Sequence, residues 1–169
     1  MILRPALLAL AALTLSGCGL RPLYAGGEAG PVVQTLRGVQ VAPIPGQSGW
    51  LVRTALQDRL GNRGGTVRYR LEVELSDDIT GFGIRSDNAV TRERRTLRAR
   101  YRLIEVERGT VVLDATAGSD AGIDVVSSEY ATVAAEQSAL ERLSTAVADQ
   151  IVSRLALYAQ RGGRRPRAR

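Results

Sequence analysis

Cys18 is the only thiol in the chain, and it closes the run Leu15-Ser16-Gly17-Cys18. All 23 basic side chains are arginine, and there is no histidine. These counts restrict the available chemistry. Without histidine, the common base for activating a serine or cysteine is missing. One cysteine allows no disulfide within the chain and no Cys/His metal site. The carboxylate pair Asp77-Asp78 sits near Ser76 and Gly81 and reads as a solvated turn, not a general acid/base pair. "GFG" at Gly81–Gly83 lacks the further glycine and helix start that a phosphate loop needs. The expectation is a non-enzyme with no catalytic residues, no metal and no cofactor. What remains is one acylatable thiol and many guanidinium forks, which bind phosphate or carboxylate bidentately and do not titrate.

The thiol's surroundings assign it a task. Met1-Ile2-Leu3-Arg4-Pro5 supplies one charge, and Ala6–Leu15 is an apolar run of ten residues. Crossing a membrane takes about 20 apolar residues, so this run is too short. It has the layout of a secretory signal peptide over residues 1–17. Leu15-Ser16-Gly17-Cys18 resembles the bacterial lipobox, in which Leu15, Ser16 and Gly17 are read by the signal peptidase. Cys18 then carries a diacylglycerol on sulfur and a palmitate-type chain on nitrogen. A small buried cysteine after an ordinary signal peptide is the alternative. Each buried CH₂ holds the anchor by roughly 0.8 kcal/mol, so several chains attach it durably. Gly19 replaces the Asp that favours inner-membrane retention, which points to the outer membrane, facing the periplasm. Removing residues 1–17 leaves 152 residues, enough for one domain with a core. The net charge of +6 becomes +5 without Arg4. In that compartment, anionic lipid or an acidic protein surface suits this charge, and nucleic acid does not.

Positioning elements follow from periodicity. Residues 18–35 form the lipidated cysteine and a tether, with "GGEAGP" (Gly26–Pro31) as its flexible part. A single domain over 36–161 starts with a strand in Leu36–Ile44, stopped by Pro43-Ile44-Pro45. Ser48 is placed to cap a helix carrying Leu51, Ala55, Val52, Leu56 and Leu60, closed by Gly61-Asn62. Trp50 at its start reads as a core or staple residue, with a ligand platform as the alternative. Val67, Tyr69, Leu71, Val73 and Leu75 alternate with Arg68, Arg70, Glu72 and Glu74, a half-buried strand. A hairpin follows with its turn at Arg108-Gly109. Its first arm faces Leu97, Ala99, Tyr101 and Leu103 inward, its second Val111, Leu113 and Ala115. From Ser127 to Arg161 there is neither glycine nor proline. Ser127 or Ser128 caps a long amphipathic helix with the seam Leu140, Leu143, Val147, Ile151, Leu155, Tyr158. Residues 162–169 read as a disordered basic tail, dispensable or held against phosphate head groups. The fold class is α+β, two helices on one face of a four-stranded, mostly antiparallel sheet in the order β-α-β-β-β-α. Its other face is polar and arginine-rich.

"CGLRPLY" at Cys18–Tyr24, the strand-helix start, three long strands and the "SSEYA" opening of the last helix resemble the LptE family in its alphaproteobacterial form. These are lipopolysaccharide-assembly lipoproteins of the outer membrane. The resemblance covers nearly the whole mature chain in element order, with Arg21-Pro22-Leu23-Tyr24 as its sharp motif. It implies two helices on a four-stranded sheet, a plug inside the β-barrel of the LptD translocon, help in its assembly, and binding of lipopolysaccharide during delivery. An auxiliary lipoprotein of an ABC-type envelope lipid transporter is the nearest alternative.

Lipopolysaccharide presents phosphates, and the arginines suited to them are on one strand. Arg92, Arg94, Arg98, Arg100 and Arg102 share a face if that strand is regular, while Arg95 points the other way. Arg85 in the preceding loop could join them. These six residues are the candidate lipopolysaccharide or barrel contacts. The competing reading is a solvated face balanced by Glu72, Glu74 and Asp114.

Overall fold

A computed structural model of the chain describes residues 29–61, 64–84 and 90–162. Cys18, the lipobox, Arg21–Tyr24, Asn62, Arg85 and residues 163–169 lie outside the described residues.

The first element corrects the sequence reading. Pro31–Arg37 is a helix, α1, inside and just past the stretch read as tether. Proline suits a first helical position, where no backbone donor is needed. Thr35 donates to the Pro31 carbonyl at 2.8 Å. Seven residues cannot sustain a helix alone. Val32 and Leu36, one turn apart, are buried in the core, and that docking holds it. Three helices are therefore present among the described residues where two were expected.

The first strand, β1, is shorter than read and covers Val39–Val41. It pairs in parallel with β2 (Tyr69–Ile84), Val39 beside Tyr69 and Val41 beside Leu71. Parallel pairing demands a crossover, supplied by α2 (Gly46–Leu60). This helix begins two residues before the expected Ser48 cap. Gly46 turns at φ +80°, and Pro45 precedes it without a side-chain cap. Gly49, Val52, Leu56 and Leu60 form its buried stripe. Trp50 falls off that stripe and is 65% exposed, so it is not a core residue. Gly61 closes the helix in the left-handed region, its N–H donating to Gln57 O at 3.1 Å.

β2, β3 (Val90–Glu105) and β4 (Thr110–Asp124) form an antiparallel meander, giving the sheet order β1-β2-β3-β4. The turn falls where Arg108-Gly109 predicts, with Gly109 at φ +63° and its N–H on Glu105 O. Two expectations fail here for register reasons. Asp77 and Asp78 lie within β2, opposite Leu97 and Thr96, because pairing with a long partner outweighs their turn preference. Val111 faces outward at 51% exposure. Leu103 pairs with Leu113 but Ile104 with Val111, so the extra residue Val112 flips the side-chain parity.

The last helix, α3 (Glu129–Gly162), takes in Gly162, which was read as tail. Ser128 Oγ accepts the Ala131 N–H at 3.4 Å, as the capping reading required. Its seam Leu140, Leu143, Val147, Ile151 and Leu155 is buried against Leu71, Leu97, Ala99, Tyr101 and Leu103. α2 runs alongside it in the same direction. Gln47 meets Gln137, and twelve residues further along each helix Arg59 meets Asp149. All helices thus gather on one sheet face and leave the other open, with one parallel pair in an otherwise antiparallel sheet.

Candidate functional site

The open face is built from the even-numbered residues of three strands. Alternation sends Leu97, Ala99, Tyr101 and Leu103 of β3 into the core and Arg92, Arg94, Arg98, Arg100 and Arg102 out together. Arg95 turns the other way, as its odd position requires. There it binds Asp77 and donates to the Glu136 carbonyl of α3 at 3.0 Å.

Register then assigns each outward arginine its neighbours. Arg102 lies between Glu72 and Asp114, Arg100 between Glu74 and Thr116, Arg92 between Phe82 and Asp124. Arg94 lies between Thr80 and Gly122, and Arg98 between Ser76 and Gly118. Two bonds join direct neighbours, Arg92–Asp124 and Arg102–Glu72, and two run diagonally, Arg100–Asp114 and Arg102–Glu74. Arg100 holds Asp114 at 3.0 Å, Arg92 holds Asp124 at 3.1 Å, and Arg102 reaches Glu72 and Glu74 at 3.4 Å. The hydrogen bond from Arg100 holds the Asp114 carboxyl below its ordinary pKa and raises that of the arginine. Among the described residues, neither Arg94 nor Arg98 has a carboxylate partner. Arg94 lies over the Phe82 ring, 5.5 Å from its centroid.

The balance of the face is wider than the sequence reading allowed. Outward positions carry six arginines (Arg70, Arg92, Arg94, Arg98, Arg100, Arg102) and six carboxylates (Glu72, Glu74, Asp78, Asp114, Asp120, Asp124). Asp78, Asp120 and Asp124 were missed. Asp78 was hidden by the turn reading of its segment. The other two follow once the parity of β4 is carried past Ala115. Arg94 and Arg98 stand about 13 Å apart along the strand. The row between them is Asp78-Thr96-Asp120. The acidic row separates the two arginines, and a continuous anionic surface would meet it. The arrangement fits separate anionic groups at two points.

Arg98 has room for one. It lines a hollow of about 550 Å³ with Glu74, Ser76, Arg100, Thr116 and Gly118. A Cβ on Gly118 would stand 3.3 Å from Arg98 Cγ, so glycine makes space for the arginine stem.

Fold and face together define a small α+β domain whose exposed sheet surface is a mixed-charge lattice. The model of the LptE family, described as lipopolysaccharide-assembly, matches residues 36–155. The chain belongs to that family, and its role is in lipopolysaccharide assembly. Solved structures share the fold. A lipoprotein from Caulobacter crescentus CB15 is similar at 22% identity and TM-score 0.64, over 78% of this chain and 98% of that one. Rare lipoprotein B from Shewanella oneidensis is similar at 12% and 0.58, over 74% and 96%. A minor lipoprotein from Acinetobacter baumannii is similar at 15% and 0.57, over 79% and 97%. No curated protein sequence matches the chain.

Proposed function

We propose that this protein is a non-enzymatic lipoprotein of the outer membrane, held on its periplasmic side by acyl chains on Cys18. It plugs the LptD-type β-barrel, assists the barrel's assembly and binds lipopolysaccharide during delivery to the surface. Family membership supports the lipopolysaccharide role. The observation that carries the site is the split among the six outward arginines: Arg70, Arg92, Arg100 and Arg102 are engaged with carboxylates, and Arg94 and Arg98 have none among the described residues. A face with equal numbers of both charges also suits a polar barrel lumen, since it carries no net repulsion into it.

Arg94 and Arg98 are the lipid A phosphate contacts in this reading, and Arg92, Arg100 and Arg102 hold the lattice. Binding of purified lipopolysaccharide to the detergent-solubilised lipoprotein tests it. Arg94→Gln with Arg98→Gln should weaken binding at least tenfold, while Arg100→Gln with Arg102→Gln changes it less than threefold. Each lost charge-assisted contact accounts for about 1.5–3 kcal/mol. Equal loss in both double variants, with folding intact, would contradict the assignment.

A further inference from the structure

β4 is the outer strand of the sheet, fifteen residues long, and only β3 pairs with it among the described residues. In an antiparallel pair, opposed residues alternate between exchanging both backbone bonds and pointing those groups away. Gly118, opposite Arg98, points its groups away, and both are occupied by one side chain. Its N–H donates to Gln150 Oε1 at 3.2 Å, and Gln150 Nε2 donates to its carbonyl at 3.1 Å. A primary amide offers the donor and acceptor of a peptide, so Gln150 stands where one residue of a fifth strand would stand. By the same two-residue period, Asp114, Thr116, Asp120 and Gly122 turn their backbone groups to the open edge. That edge is a template for another strand, closed near its middle by one amide.

We infer that the β4 edge is a latent pairing surface for a second copy of this chain, and that Gln150 keeps it shut. The strand is self-complementary in the antiparallel register centred on Gly118. There Gly118 meets Gly118 of the copy, Thr116 meets Asp120, and Asp114 meets Gly122, so each of those acids faces an uncharged residue. On the helix side Ala117 meets Ser119, Ala115 meets Ala121, and Leu113 meets Ile123, all small or apolar. No like charges stand opposed in these six rows, which is the condition for stable cross-strand pairing. This inference is independent of the barrel reading, although a plug needs its domain monomeric.

The experiment is sedimentation velocity of the full-length lipoprotein in detergent between about 1 and 100 μM. Wild type should stay monomeric. Gln150→Ala and Gln150→Ser, neither of which can reach Gly118 with both an acceptor and a donor, should dimerise at least tenfold more tightly. Adding Thr116→Pro should abolish that dimer, because proline removes an outward N–H without costing a bond to β3. Gln150 is exposed, so neither substitution opens the core. Monomeric Gln150 variants with native circular dichroism would overturn the inference. So would a dimer that survives Thr116→Pro, since its interface would lie elsewhere.

Discussion

Arg95 grips Asp77 through two parallel bonds, Nε to Oδ1 at 2.8 Å and Nη2 to Oδ2 at 2.7 Å, on the helix-covered side of the sheet. The two side chains are 13% and 21% exposed. The third nitrogen reaches the Glu136 carbonyl, so one guanidinium joins β2, β3 and the first turns of α3. Its pKa is raised, chiefly by the bond to Asp77, so it stays charged at any workable pH.

Breaking this pair should therefore cost more than breaking a surface pair. Arg95→Met or Asp77→Asn should each lower stability by about 2 kcal/mol, between the surface and fully buried cases. The double variant Arg95→Met/Asp77→Asn should cost less than the sum, because neither charge is then left alone. Urea denaturation of the four proteins measures the coupling, and additive losses would contradict it.

At Gly49 two effects of opposite sign compete. Alanine in the interior of α2 should gain about 1 kcal/mol from helix propensity. Its Cβ, however, would stand 2.6 Å from the Ile44 carbonyl oxygen and 2.8 Å from the carbonyl carbon, both backbone atoms. Overpacking of this kind costs about 1–3 kcal/mol. Gly49→Ala should lose up to about 2 kcal/mol net, and a raised melting temperature would show that the Pro43–Pro45 segment yields easily.

Acid should break the Arg100–Asp114 pair of the open face only late in an acid titration. The folded carboxyl titrates below its ordinary value of about 4. Its contribution to stability is therefore full above that value and fades as pH falls through the folded one. Both groups are solvent-exposed, so the shift is best read from carboxyl-carbon NMR. Asp114 should titrate below the ordinary range in the wild type and return to it in Arg100→Gln.

How much of this was legible in the sequence depended on whether side-chain order or pairing decides each feature. Alternation through Tyr69–Leu75 and Leu97–Leu103 placed the core face of two strands, and with it the shared face of Arg92–Arg102. Parity carries that information wherever the ladder is regular. It failed at Val111, because one extra residue in β4 shifts the register and nothing in "TVVLDA" marks where. The Asp77-Asp78 reading failed because local preference favours a turn, and the opposing strand decides otherwise. Helix α1 was missed because seven residues hold too little periodicity, and its stability comes from contacts made only in the fold. The division between open and engaged arginines could not be read at all without the registers of both neighbouring strands.

In the role proposed above, this domain works inside a barrel. Affinity purification of the tagged lipoprotein from its own membranes in mild detergent, with mass spectrometry of what is retained, tests it most directly. A large outer-membrane β-barrel protein should be retained in one-to-one amount and survive a high-salt wash. A lipid-transport ATPase assembly without any barrel would contradict that role.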